Sequence, residues 1–220
     1  MNYFSHFWVD GKKDSHFYNV GLILPDFARK QVKSFHKAPV FKHTNYEQLH
    51  QGCLAHYRAD KLFHQSIFFT TLLHQANGII NSAPFSAGVN RKWFLAHIFV
   101  ELMLDRLLTK AYKPAVDSFY YSLDQVSENE LSEFLALFGA SDVDLFIQHY
   151  HHFRSAKYIY FYPDNIKFVY SLNRIMIRAG AGELGDNDQQ VLLQAVLYFE
   201  EQLSLQLPEL FNQLKLSVHD

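Results

Sequence analysis

The 220-residue chain contains a single cysteine, Cys53, so no disulfide can form within it, and the small secreted scaffolds held together by cystines are excluded. It also lacks any Cys cluster of the kind that builds a structural zinc site. No stretch reaches the ~18 uninterrupted apolar residues of a membrane helix. The longest candidate, WFLAHIFVELMLDRLL, is broken by His97, Glu101 and Asp105. The opening MNYFSHFWVDGKK has neither the charged start nor the long apolar run of a signal peptide, so a cytosolic protein is expected. Dense Lys/Arg clusters are missing as well, which argues against a nucleic-acid surface.

Aromatic residues are abundant, with 21 Phe and 13 Tyr, and 49% of the chain is hydrophobic against 19% charged. That composition supplies a full core and excludes a disordered chain, and the length suits one domain spanning 1–220. The net charge of -2 hides an asymmetry: positions 1–115 hold 14 Lys+Arg and 7 Asp+Glu, leaving 6 and 15 beyond. Apolar residues recur at helical spacing and convincing alternating strands are absent, which predicts an all-α fold. Gly21 with Pro25, Ala38 with Pro39, the NGIINSAPFSAG run, Pro114, Pro163 and GAGELGDND mark the breaks, leaving room for roughly seven helices. Ser127 is the expected N-cap of one of them and Gly139 its terminator.

The segment GCLAHYRADKLFH raises the chemical question. Successive helical residues advance by ~100°, so His56, Asp60 and His64 at i, i+4 and i+8 share one face. Phe63, Cys53 and Ile67 fall on that same face, whereas Arg58, Lys61 and Gln65 gather on the other. WFLAHIFVELMLDRLLTK repeats the pattern: His97, Glu101 and Asp105 form a stripe flanked by Trp93, Leu104 and Leu108, with Arg106 and Lys110 opposite.

A random chain of this composition holds roughly one such triplet, so spacing alone decides nothing. Burial does. An ionised carboxylate in an apolar core costs several kcal/mol unless it is paired, hydrogen-bonded or metal-bound. Buried ion pairs such as His97 with Asp60 would meet that cost, and so would a shared metal. Eight residues rise ~12 Å, too far for one ion to take a whole stripe, so each helix would offer neighbours to one metal and a third residue elsewhere. His and carboxylate donors suit Mn, Mg, Fe or Zn. His6 in NYFSHFWV and Asp26 in GLILPDFAR are further candidate ligands; on its own Asp26 reads as an N-cap.

These residues resemble segments of the acyl carrier protein phosphodiesterase family, an all-helical, HD-like group of metal-dependent hydrolases. MNYFSHFWV is similar to the family's start, Met-Asn and an apolar stretch bearing a His. GLILPDFAR resembles Gly-Asn-Leu-Leu-x-Asp-Phe-x-Arg and carries over Asp26 and Arg29. GCLAHYRAD resembles Gly-Ile-x-x-His-Arg-x-Ile-Asp and carries over His56 and Asp60, and FVELMLDRLL resembles Asp-x-x-x-Asp-His-x-Leu and carries over Glu101 and Asp105. SLNRIMIR is a weaker match to Leu-Asn-x-Met-x-x-Arg. The chain departs from the family at Phe63 and His64, where the family has Thr-Asp, and at Glu101 and Asp105-Arg106, where it has Asp and Asp-His. Its one adjacent His-Asp pair, His219-Asp220, lies at the very end.

The resemblance implies a single-domain helical bundle that hydrolyses the phosphodiester joining 4'-phosphopantetheine to acyl carrier protein, an acidic partner for the basic first half. His6, Asp26, His56, Asp60, Glu101 and Asp105 would supply metal ligands, with Mn or Mg ahead of Fe or Zn. His64 or His97 would manage protons, Asp26 would serve the catalytic centre, and Arg29 would neutralise phosphate. Two other classes compete. A di-metal carboxylate oxidase also uses inward Glu and His, but with Glu-x-x-His pairs that neither of these two segments has. A non-catalytic helical protein would use the stripes as an ion-pair network or a relic metal site.

Overall fold

Local chemistry sets the helix boundaries. In the computed structural model, which describes residues 1–37, 39–206, 208–209 and 211–212, Ser127 opens a helix by accepting from the Glu130 backbone N–H while Glu130 reaches back to Ser127. That helix ends at Leu137, and Gly139 beyond it takes φ +66°, the left-handed turn that favours glycine. Ala38 of the Ala38–Pro39 break and the His219-Asp220 pair lie outside the described residues.

The elements run α1 (Tyr3–Asp10), α2 (His16–Gly21), α3 (Leu24–Phe27), α4 (Thr44–Gln65), α5 (Ile67–Ser82), α6 (Lys92–Ala111), α7 (Lys113–Asp124), α8 (Glu128–Leu137), α9 (Val143–Ala156), a 3-10 turn (Tyr158–Phe161), α10 (Asn165–Arg178) and α11 (Asp186–Ser204). No strand occurs among the described residues, as the periodicity predicts. The helices outnumber the sequence expectation because Tyr3–Phe27 holds three short helices, Lys113–Ala156 holds three more, and Ser66 stops one helix and caps the next, accepting from Phe69 N–H. NGIIN, read as loop, is the last part of α5: helical packing of Ile80 outweighs the weak propensity of Asn77 and Gly78.

α6 is the central post. Every residue from Phe99 to Thr109 is buried, and α1, α5, α7, α10 and α11 pack around it. Aromatic rings fill the space between: Phe119 meets Phe4, Phe7 and Phe153 edge-on, and Phe199 meets Phe99. Fully burying each such ring contributes about 1.5–3 kcal/mol. Arg106, expected on the outer side, is buried instead. Its guanidinium donates to Tyr162 O at 2.6 Å, Asn165 Oδ1 at 2.6 Å and Glu200 Oε2 at 2.7 Å, binding α6 to α10 and α11.

α2 lies against α4 with almost no space between the backbones. A Cβ on Gly21 would meet Leu49 O at 2.2 Å, and one on Gly52 would meet Tyr18 O at 2.2 Å. Only glycine permits this approach, and it brings the Leu22 carbonyl and the short α3 beside the middle of α4.

Candidate metal centre

Two helices bring the stripes together and a third completes them. α1 is suspended from α6 by Asp105, whose carboxylate accepts from Asn2 Nδ2 at 2.7 Å, Phe4 N–H at 3.2 Å, Ser5 N–H at 2.7 Å and Ser5 Oγ at 2.6 Å. Asp105 thereby satisfies two of the free N–H groups of α1's first turn, those of Phe4 and Ser5, from a neighbouring helix. Burial pushes its carboxyl up to about 6 against these four donors. The structure does not bring Asp105 into contact with the other candidate ligands; it places α1, and with it His6.

His6, His56 and Asp60 form one group, with a donor atom from each within 4.8 Å of the others. The His6 and His56 rings stack at 3.9 Å, and both side chains are buried. His56 Nδ1–H donates to Leu22 O at 2.8 Å, which fixes the tautomer and leaves Nε2 with a free lone pair. His6 is the unusual member. Neither of its ring nitrogens has a hydrogen-bond partner although both are buried; Nε2 lies 3.3 Å from Asp60 Oδ1 without the alignment of a hydrogen bond. Burial, reinforced by His56, lowers the His6 pKa to about 4, and burial also lowers that of His56. Both shifts favour the neutral imidazole, the form that binds metal.

His64, His97 and Glu101 form a second group with the same spread of donor atoms. His64 and His97 each point Nε2–H at Glu101 Oε1, at 3.0 and 3.1 Å. The Met1 α-amino nitrogen joins the two groups, 2.6 Å from Asp60 Oδ1 and 3.0 Å from Glu101 Oε1. Burial would lower the ammonium pKa, but Glu101 and Asp60 outweigh it and raise it to about 10. In return, although burial opposes ionisation, the ammonium and the nearby His rings hold both carboxyls below their ordinary range.

Asp26 stands at the edge, its Oδ1 3.8 Å from His56 Nε2 and its side chain 40% exposed. Local desolvation pushes it up to about 6, with the charges of Asp60 and Glu101 acting the same way. Arg29 is exposed and belongs to neither group. Its charge, with that of Arg178 from the weakly matched SLNRIMIR segment, bears on the Tyr3 hydroxyl, which burial and Asp26 push upward. The His50 ring, absent from the sequence reading, is buried but bonded through Nε2 to Phe35 O at 2.8 Å, a structural role.

Ile67 and Trp93, expected on the apolar faces, are 85% and 66% exposed. Ile67 belongs to α5, because the turn at Ser66 resets the angle; Trp93 lies one turn before His97, where α6 emerges from the core. The centre is therefore buried at His6 and His56 and open toward His64 and His97. Two surface recesses, one by Ile166 and Leu193 and one by Val40 and Tyr46, contain none of these ligand candidates.

The chain matches no family model, no curated protein and no solved structure. What bears on its chemistry is the geometry: two His and carboxylate groups that could hold a metal ion. Water activation, Lewis-acid catalysis and a purely structural cation are all within reach of such donors.

Proposed function

We propose that this protein is a metal-dependent hydrolase acting on a phosphodiester. The observation that carries the reading is His6, a buried imidazole whose nitrogens make no aligned hydrogen bond and whose Nε2 lies 3.3 Å from Asp60 Oδ1, beside a second imidazole whose lone pair is fixed toward the same space. A buried polar ring left without hydrogen bonds costs about 1–3 kcal/mol, and coordination would remove that cost. His6, His56 and Asp60 would hold a divalent cation, Mn or Mg ahead of Fe or Zn, with Asp26 at its edge. The cation would supply Lewis acidity toward a phosphoryl oxygen and toward water.

The chain's own groups do the rest. Asp60 and Glu101 bring negative charge that binds the cation and orients the histidines around it. His64 and His97, about a third exposed beside Glu101, line the open side of the centre, where substrate would approach. Arg29 is the candidate partner for the substrate phosphate, joined by Arg178. The resemblance to acyl carrier protein phosphodiesterases makes holo acyl carrier protein the first substrate to test, and the excess of Lys and Arg in positions 1–115 suits that acidic partner.

A second reading rests on the Met1 ammonium, which already balances Asp60 and Glu101 and would make the cluster a buried ion network without catalysis. Elemental analysis of the purified chain, with a phosphopantetheine-release assay under Mn or Mg, separates the two. The hydrolase reading expects bound metal that is lost in His6→Ala and Asp60→Ala while far-ultraviolet circular dichroism is unchanged. Wild-type protein without metal under either condition would leave the ion network.

A further inference from the structure

We propose that the centre takes two divalent cations side by side, the second ligated by His64, His97 and Glu101, with Asp60 standing between the pair. The inference rests on the metal-dependent reading of the first group and concerns residues at which the chain departs from the family it resembles.

His64 lies in the last turn of α4 and His97 in the first half of α6. The pairing of His64 with His97 and of Asp60 with Glu101 shows that the two helices run antiparallel here. Their side chains converge on a single atom. His64 Nε2, His97 Nε2 and the Met1 nitrogen all lie 3.0–3.1 Å from Glu101 Oε1. One carboxylate oxygen offers two lone pairs, so three donors overfill it. With a cation in the group, both Nε2 atoms would turn lone pairs rather than protons toward the shared space.

The surroundings orient these rings as ligands are oriented. Phe69, placed by the Ser66 cap, meets His64 edge-on at 4.8 Å and His97 at 5.2 Å, so one aromatic wall sets both imidazoles. Asp60 Oδ2 stands 3.6 Å from His64 Nδ1, within ion-pair range but beyond hydrogen-bond reach. Its other oxygen faces His6. A single carboxylate thus presents one oxygen to each group, and its Oδ1 is separated from Glu101 Oε1 only by the Met1 nitrogen.

Exposure distinguishes the two positions. His6 and His56 are 0% and 2% exposed in their side chains, whereas His64 and His97 are 30% and 32%. The first cation would be shielded and slow to leave; the second would face incoming substrate and exchange readily.

The test is a Co(II) titration of the full chain in a Trp8→Phe background, so that Trp93, one turn from His97, is the only tryptophan. Bound Co(II) is counted after gel filtration, and visible absorption and Trp93 fluorescence are followed together. The inference expects two Co(II) per chain, quenching of Trp93 as the more labile one binds, and a single retained ion without that quenching in His97→Ala. His64→Ala serves as a second variant should His97→Ala not fold. One Co(II) per chain, kept in both variants and lost in His6→Ala, would overturn the second position and leave the hydrolase reading standing. No Co(II) in the wild-type chain would overturn both.

Discussion

Asp105 receives four hydrogen bonds from the start of α1, so its removal leaves buried donors in Asn2, Phe4 and Ser5 without an acceptor. Each buried donor left unsatisfied costs about 1–3 kcal/mol, and partial relaxation recovers some of it. We expect Asp105→Ala to lose about 2–4 kcal/mol in urea unfolding at pH 7. If the variant remains folded, its metal affinity should fall because α1 and His6 lose their anchor; wild-type affinity would show that Asp105 does not position His6. The stripe of His97, Glu101 and Asp105 was legible as an inward face because its flanks are apolar. What it faces was not, because periodicity along one helix carries no information about the terminus of another. His97 and Glu101 meet α4, whereas Asp105, about 12 Å from His97 along the axis, meets α1.

Among the elements, the contact between α2 and α4 controls the centre most directly. Gly21 and Gly52 lie Cα against Cβ position at under 3 Å, and the residue after Gly21 supplies the carbonyl that fixes His56. A methyl group at either glycine must drive the helices apart, since backbone atoms block it. We expect Gly52→Ala to cost more than about 2 kcal/mol in urea unfolding. Its metal affinity should fall at least tenfold by isothermal titration, because the Leu22 carbonyl is drawn off His56 Nδ1. Wild-type stability in this variant would show that the crossing is looser than the structure has it. Gly21 was readable as a boundary, but the need for glycine at Gly52 was not, since close approach depends on a partner surface remote in sequence. Ser66 is the opposite case: its capping signal stood in the sequence, and the uninterrupted apolar pattern of α4 and α5 obscured it.

For the whole molecule, the all-α reading followed from periodicity repeated over most of the chain, and α6 as the buried post followed from its apolar run. The site needed three segments brought together, α1, α4 and α6, and helical periodicity could not join His6 and Asp26 to the stripes, since they stood as candidates on local context alone. Their assembly has consequences for stability. A cation that binds only the folded chain stabilises it by about 2.7 kcal/mol at a hundredfold excess over Kd. We expect a corresponding rise in Tm with Mn, reversed by a chelator and absent in Asp60→Ala. The metal-free chain should also weaken in alkali. The Met1 ammonium is raised from 8.0 to about 10, so its contribution is complete below pH 8 and is lost as pH rises through 10, about 2–3 kcal/mol in all. Buried Cys53 acts in the same direction at higher pH, its thiol being held protonated by burial. Urea unfolding at pH 7.5, 9 and 10.5 measures the decline; an unchanged midpoint would mean that the ammonium is not held between Asp60 and Glu101.

The central claim is that His6, His56 and Asp60 hold a metal, and anomalous diffraction from crystals grown with Mn tests it most directly. The account predicts an anomalous peak within bonding distance of the His6 ring, His56 Nε2 and an Asp60 oxygen. A map without that peak, in which the Met1 nitrogen still bridges Asp60 and Glu101 and His6 remains unligated, would contradict it.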